Sequence, residues 1–326
     1  MATIKNVASR AGVSVATVSR VINNNGYIAR NTLDKVNSAI KELNYIPNEV
    51  ARSLYQKRSK LVGLILPDIS NPFFSAISKG VSDKLDEHGY TLVLGNTGGS
   101  DEKKLSFIHT FAQNNIAGII TTGDGFENGS LKKLQKEINV PIVFLDRANN
   151  KKEYAVFSDD YLGGSLQAKA ILETDPKHII LIKGPEGIST AQLRFNGAYD
   201  VLMENNIDFD VEVVKSFEAE DDISEYLFEK YQIIDSIIAP NDMHAIAILR
   251  NALSKGKNVP VDFQIIGYDD IGFCKMVYPT LTTVSQPAYE IGFLSAEIIA
   301  GRIGGEKIEN TLIKLPVELK RRNSTR

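Results

Sequence analysis

The sequence predicts an α/β protein, with an all-helical head at the N-terminus followed by a two-lobed core built on parallel sheets. Three observations carry this reading. From Leu61 onward, apolar runs of strand length alternate with amphipathic helical segments, the signature of repeated β-α-β units. Before Leu61 the only periodicities are helical. Charge divides at the same place: residues 1–60 carry ten Lys or Arg against three Asp or Glu, a formal +7, while the remainder carries 27 against 37, a formal −10. A basic head on an acidic body points to a polyanionic partner for the head alone, which the overall net charge of −3 conceals.

In the head, Ile4 to Ala11 and Val15 to Ile22 read as two short helices. Thr32 to Leu43 reads as a third, because Leu33, Val36, Ile40 and Leu43 recur on one face, with Asn31 or Thr32 as its cap. Asn23-Asn24-Asn25-Gly26 supplies turn chemistry between the second and third. The first pair has helix-turn-helix spacing: Ala8 is small where the helices cross, Gly12 permits the tight turn, and Val18 packs the second helix onto the first. Ser14 caps that second helix, an arrangement that sets its first residues against base edges in a major groove. Pro47-Asn48 breaks the chain, Glu49 to Gln56 has the length of one short helix, and Lys57-Arg58-Ser59-Lys60 is a basic linker. The expected divisions are therefore 1–46 for the helical domain, 47–60 for hinge helix and linker, and 61–326 for the core.

Along the core the clearest strands are Leu61 to Leu66, Thr91 to Leu94, Gly118 to Thr121, Pro141 to Leu145, His178 to Ile182, Ser236 to Ala239 and Phe263 to Ile266, with a further strand over Val211 to Lys215 before Phe217. Amphipathic segments separate most of them; Phe74, Ile77, Val81 and Leu85 share one helical face. Right-handed crossovers and doubly covered parallel sheets follow. About 265 residues is too much chain for one sheet, so two similar lobes are expected. Ligands of such sheets bind beyond the carboxyl ends of the strands. That rule selects Asn71, Asp146, Arg147, Asn241, Asp242, Asp269 and Asp270 as candidates.

Composition excludes several classes. Cys274 is the single cysteine, which rules out an internal disulfide and any thiolate metal cluster and suits a small buried hydrophobe. His88, His109, His178 and His244 show no metal spacing, so no metal and no cofactor is expected. Gly98-Gly99 and Gly163-Gly164 lack the spacing of a nucleotide loop, and Asp159-Asp160 is better read as helix capping than as an acid-base pair, so an enzyme is not expected. No run of 18 uncharged apolar residues occurs, and the N-terminal residues lack an apolar signal segment, so a cytosolic (cytoplasmic) protein with no membrane partner is expected.

Val18-Ser-Arg-Val-Ile-Asn23 and Leu43-Asn-Tyr-Ile-Pro-Asn48-Glu-Val-Ala-Arg-Ser-Leu54 resemble the lactose repressor (LacI/GalR) family across Ile4 to Leu54. The resemblance implies a transcriptional repressor whose homodimer grips palindromic double-stranded operator DNA. It places Val15, Ala16 and Arg20 in the major groove, with Thr3, Ser14, Thr17, Ser19 and Asn23 completing the DNA-binding set. Of the three groove residues only Arg20 can form a bidentate contact, preferentially to guanine. It also implies a hinge helix over the segment matching Asn48 to Gln56, with Leu54 wedged into the minor groove beside Tyr55, where relatives often carry a basic or small residue.

The body resembles the periplasmic-binding-protein fold over essentially its whole length, most closely ribose-binding proteins and the ribose operon repressors of the family. That resemblance implies a sugar effector, D-ribose, held by Asn71, Phe73, Phe74, Asp146, Arg147, Arg194, Phe217, Asn241, Asp269 and Gln286. Two carboxylates, two guanidinia, amides and aromatics offer balanced charge and many donors and acceptors, as a neutral polyol requires. Sensing of another sugar, such as sucrose or fructose, or catabolite control through a phosphocarrier protein, are the alternative readings.

Overall fold

The computed structural model describes residues 2–23, 26–46, 59–124, 134, 137–147, 154–217, 223–309 and 311–326. It forms two compact units, Met1–Ser59 and Lys60–Arg326. The hinge helix expected within 47–60, together with Leu54 and Tyr55, lies outside the described residues.

The first unit is a three-helix head. Helix α1, Ile4–Ala11, opens with a capping box in which Asn6 N–H donates to Thr3 Oγ1 and Thr3 N–H donates to Asn6 Oδ1 at 2.8 Å. It ends at Gly12, whose φ of 67° is the left-handed turn that only glycine adopts without strain. Helix α2, Val15–Ile22, is capped by Ser14, which accepts from Thr17 N–H at 3.1 Å. Helix α3 runs Arg30–Glu42 rather than from Thr32, and neither Asn31 nor Thr32 caps it; Ala29 occupies that position without a side-chain bond. Ile28 and Leu33, at the positions of a hydrophobic staple, both pack on the head core and fix the entry of the chain instead. Val7, Val18 and Val36, one from each helix, have no exposed surface and form the centre of that core.

The second unit contains twelve strands among its described residues. These are β1 Leu61–Leu66, β2 Thr91–Asn96, β3 Gly118–Thr122, β4 Ile142–Leu145, β5 Ala155–Ser158, β6 Ile179–Lys183, β7 Phe209–Val213, β8 Ser236–Ile238, β9 Gln264–Asp269, β10 Thr282–Ser285, β11 Leu312–Leu315 and β12 Glu318–Lys320. They form two six-stranded sheets, β11-β5-β4-β3-β1-β2 and β12-β10-β9-β8-β6-β7. Every pairing is parallel except β10 with β12. The strand expected over Val211 to Lys215 lies two residues earlier, because β7 is an edge strand whose register is set by β6: Ile179 pairs with Phe209 and Lys183 with Val213.

Helices cover both faces of each sheet. On the first, α4 (Pro72–Glu87) packs with Phe74, Ile77, Val81 and Leu85 buried, and α5 (Asp101–Gln113) covers the other face. On the second, α6 (Asp160–Leu172) and α7 (Ser189–Glu204) cover one face, and α8 (Ser224–Lys230) with α9 (Asp242–Ser254) the other. Helix α10, Ala288–Gly304, follows the last parallel strand of the second sheet yet packs on the first, against α4. There Gly80 and Gly292 allow backbone contact: a Cβ on Gly292 would stand 2.1 Å from Ile77 O.

The chain thus passes between the lobes three times, at 158–160, 285–288 and 315–318. The crossings are bonded side by side. Ser158 Oγ donates to Gln286 Oε1, and Asp159 N–H donates to Leu315 O at 3.1 Å. Three short parallel connections restrict relative movement of the lobes to a hinge.

Candidate functional site

The two sheets direct the carboxyl ends of their strands at one cavity of about 420 Å³ between the lobes. Nine of the ten candidates drawn from the core sequence line it: Asn71, Phe73, Phe74, Asp146, Arg147, Arg194, Phe217, Asn241 and Asp269. Gln286, the tenth, stands one step back, where its Nε2 donates to Asp269 Oδ1 at 2.7 Å and ties that carboxylate to the hinge.

Local structure explains how each side chain reaches its place. Asn71 and Asn241 are helix N-caps: Asn71 Oδ1 accepts from Phe73 N–H at 3.0 Å, and Asn241 Oδ1 from His244 N–H at 2.9 Å. With both carbonyls committed to helix ends, the Nδ2 groups are what these amides offer a ligand. Phe73 and Phe74 meet edge to face at 5.1 Å and belong to the lobe core as well as to the cavity wall, so packing and ligand contact are one role here. Asp146 and Asp269, the residues that end or follow β4 and β9, hold φ angles of 63° and 116°. Backbone strain of that kind persists where the surroundings over-determine a position, and it concentrates at functional sites.

Charges in the cavity are paired across short distances. Arg147 donates from Nε to Asp146 Oδ2 at 3.2 Å and from Nη1 to Asp124 Oδ2 at 2.6 Å. Asp124 also accepts from Ser189 Oγ at 3.0 Å, a hydrogen bond that spans the cleft, since Ser189 begins α7 in the second lobe. Buried Lys104 donates to Asp124 O at 2.5 Å, and burial pulls its amine below the usual lysine range. Asp146 Oδ1 is buried and accepts no hydrogen bond among the described residues. A donor that reaches such a buried lone pair contributes on the order of 1–3 kcal/mol.

Burial also moves the carboxyls of the second lobe. It pushes Asp160 up to about 6 and Asp269 well above the carboxylate range, against the pull of Arg194. Asp242, bonded to Thr283 Oγ1, Cys274 Sγ and Ile271 N, is likewise raised to about 6 by burial. A raised folded-state pKa means the folded chain holds its proton more tightly than the unfolded one. The associated stability is complete below about pH 4 and is lost as pH rises through about 6. The apparent Tm should therefore be several degrees higher near pH 5 than near pH 8, and Asp242→Asn should flatten the profile; a midpoint rising with pH across that window would contradict this account.

On the head, Ser14, Val15, Ala16 and Arg20 are exposed along one side of α2, opposite buried Val18 and Val21, while Thr17 and Ser19 are half-buried. Leaving an apolar Val15 41 % exposed on an isolated helix face suits a surface that is covered in use. Asn23 ends the helix and donates from Nδ2 to Ser19 O at 2.8 Å. Thr3, in the capping box of α1, donates from Oγ1 to Asn6 Oδ1 at 2.6 Å.

Among the residues of the cavity region that were not read as site residues from the sequence are Lys104, Asp124, Asp160 and Tyr268. Asp124 follows β3 by two residues and obeys the same strand-end rule that selected Asp146, so applying that rule to every strand would have found it. Of the acidic doublet, Asp159 does cap α6, accepting from Leu162 N–H at 3.2 Å, but Asp160 turns inward to Arg194.

Residues 3–48 match the family described as "Bacterial regulatory proteins, lacI family", and residues 62–307 match "Periplasmic binding protein domain". A ribose operon repressor of Bacillus subtilis is 45% identical over 328 residues, covering 100% of this chain and 99% of that protein. The lac repressor dimer bound to operator and an anti-inducer superposes with a TM-score of 0.87 at 26% identity, covering 99% of both chains. A LacI-family regulator from Enterococcus faecium with bound ribose aligns with a TM-score of 0.73 at 27% identity, over 81% of this chain and 98% of that one. The chain belongs to the lacI family of bacterial regulatory proteins, and it is a DNA-binding transcription regulator, not an enzyme.

Proposed function

We propose that this protein is a cytoplasmic repressor of a ribose-utilisation operon, which binds a palindromic operator as a homodimer and is released when D-ribose closes the cleft. The observation that carries the reading is the cavity itself, where two carboxylates, two guanidinia, two amide donors and three phenyl rings converge and Asp146 Oδ1 has no donor among the described residues. A pentose answers that inventory. Its hydroxyls both donate and accept, and its apolar ring faces can lie against Phe73, Phe74 and Phe217. The cleft holds no surplus of positive charge, since Arg147 and Arg194 are each bonded to aspartates, so a phosphorylated sugar is a poorer fit. A two-fold dimer follows from symmetry, because two heads on a palindrome share its axis. Val15, Ala16 and Arg20 then read the major groove, and Leu54 and Tyr55, outside the described residues, take the minor groove at the centre of the site.

Ribose that favours a closed cleft, and operator that favours the other lobe geometry, oppose one another reciprocally through a coupling of about 1–3 kcal/mol. The test is the affinity of purified protein for a palindromic site selected from random DNA, measured by fluorescence anisotropy with and without D-ribose. The expected result is a loss of about 5- to 150-fold with ribose and none with sucrose or fructose. Release by one of those sugars and not by ribose would replace the effector; release by none would end the induction reading.

A further inference from the structure

Arg194 lies in the cavity wall with two of its three guanidinium nitrogens spent on the protein. Nε donates to Asp160 Oδ1 at 2.7 Å, and Nη1 donates to Pro240 O at 3.3 Å and stands 3.5 Å from Asp269 Oδ1. Among the described residues no acceptor reaches Nη2, which leaves that edge for a ligand. Beneath the plane, the Tyr268 ring lies 3.9 Å from the guanidinium carbon, and Tyr268 Oη donates to the same Asp160 oxygen at 3.3 Å. The guanidinium is thus held along one edge and across one face by two residues that are themselves bonded together.

The backbone around Asp160 is shaped to this unit. Asp160 is the first residue of α6, directly after the first crossing between the lobes. A Cβ on Gly163 would stand 2.1 Å from Tyr268 Oη, and one on Gly164 would stand 1.9 Å from Arg194 O. Two adjacent glycines therefore make room, one for the tyrosine and one for the helix that carries the arginine. Gln167, on the same helix, donates from Nε2 to Gly267 O at 2.8 Å and fixes α6 against β9, the strand that carries Tyr268.

We propose that Asp160 is the positioning residue of the effector site, holding the Arg194 guanidinium flat on Tyr268 so that its Nη2 edge meets the sugar hydroxyls. A guanidinium free to rotate would spend its donors on Asp269 or Asp146 and would have to be re-ordered by each ligand. The inference rests on the reading of the cleft as a ribose site, and its test separates the two.

Wild-type protein, Asp160→Asn and Tyr268→Phe are compared in three measurements: D-ribose calorimetry, thermal unfolding without sugar, and the 15N-resolved Nε–H resonance of Arg194, assigned by its loss in Arg194→Met. In the wild type that resonance should be shifted and protected from solvent exchange. Asp160→Asn should abolish the protection and weaken ribose about 10- to 100-fold, and Tyr268→Phe should weaken it by a smaller factor. A rapidly exchanging wild-type resonance, or an Asp160→Asn protein that keeps both the protection and the affinity, overturns the proposal. A purely structural Asp160 would lower the unfolding midpoint and leave the resonance in place, which also overturns it. Wild-type protein that gives no heat with ribose refutes the ribose reading instead, and the Nε–H protection still decides the role of Asp160.

Discussion

Arg194→Ala should yield a repressor that binds its operator with wild-type affinity and no longer lets go at ribose concentrations that empty the wild-type site. The guanidinium presents an unspent Nη2 edge to the cleft, and each charge-assisted hydrogen bond lost there removes about 1.5–3 kcal/mol. Two such bonds correspond to about 10²- to 10⁴-fold weaker ribose binding. The deletion also strips buried Asp160 and Asp269 of their cation, and both respond by holding a proton, since burial already raises them. That response limits the damage to folding, so the unfolding midpoint should fall by a few degrees rather than collapse. Operator affinity is retained because the head has its own core of Val7, Val18 and Val36. Calorimetry with ribose and anisotropy with operator check the two halves, and undiminished ribose binding would remove Arg194 from the site.

The second large effect concerns sequence reading by the head. Arg20 is exposed on α2 and, of the three side chains proposed to face the major groove, is the one with a planar fork; Val15 and Ala16 would offer apolar contact alone. Replacing Arg20 with alanine should erase discrimination at one base pair per half-site, about 1–3 kcal/mol each, so a dimer on a palindrome loses about 25- to 2×10⁴-fold in specific affinity. Affinity for scrambled DNA should fall far less, by the contribution of one phosphate-range charge. Competition binding against single-position operator variants measures this directly, and equal losses on specific and scrambled DNA would assign Arg20 to the backbone instead.

How much of this was legible in the sequence depended on whether the determinant was local. Helices α1 and α2 appear with the expected ends because Thr3, Gly12 and Ser14 mark them chemically. Strand β1 is a fully apolar run and announces itself. Strand β10, with Thr282 and Thr283 fully buried, carries half-polar residues in a two-sided sheet and has no such mark. Strand β11 pairs with β5 across more than half of the core, a partnership no local pattern encodes. In the site, residues that meet the cavity at strand ends were readable from the strand-end rule and from family resemblance. Asp160 looked like half of a capping pair and Tyr268 carried no local signal, because their shared task exists only once α6 and β9 lie together.

The three passages between the lobes also govern the order in which the protein can be made. The first sheet is completed by β11, and its α4 face is covered by α10, both encoded after nearly all of the second lobe. On a ribosome, therefore, the first lobe waits with an uncovered apolar face and an unpaired edge strand until residue 315 has emerged. Truncation before α10 should leave insoluble product rather than a stable half, and insertions near 285–288 should be tolerated worse during synthesis than the short length of that segment suggests.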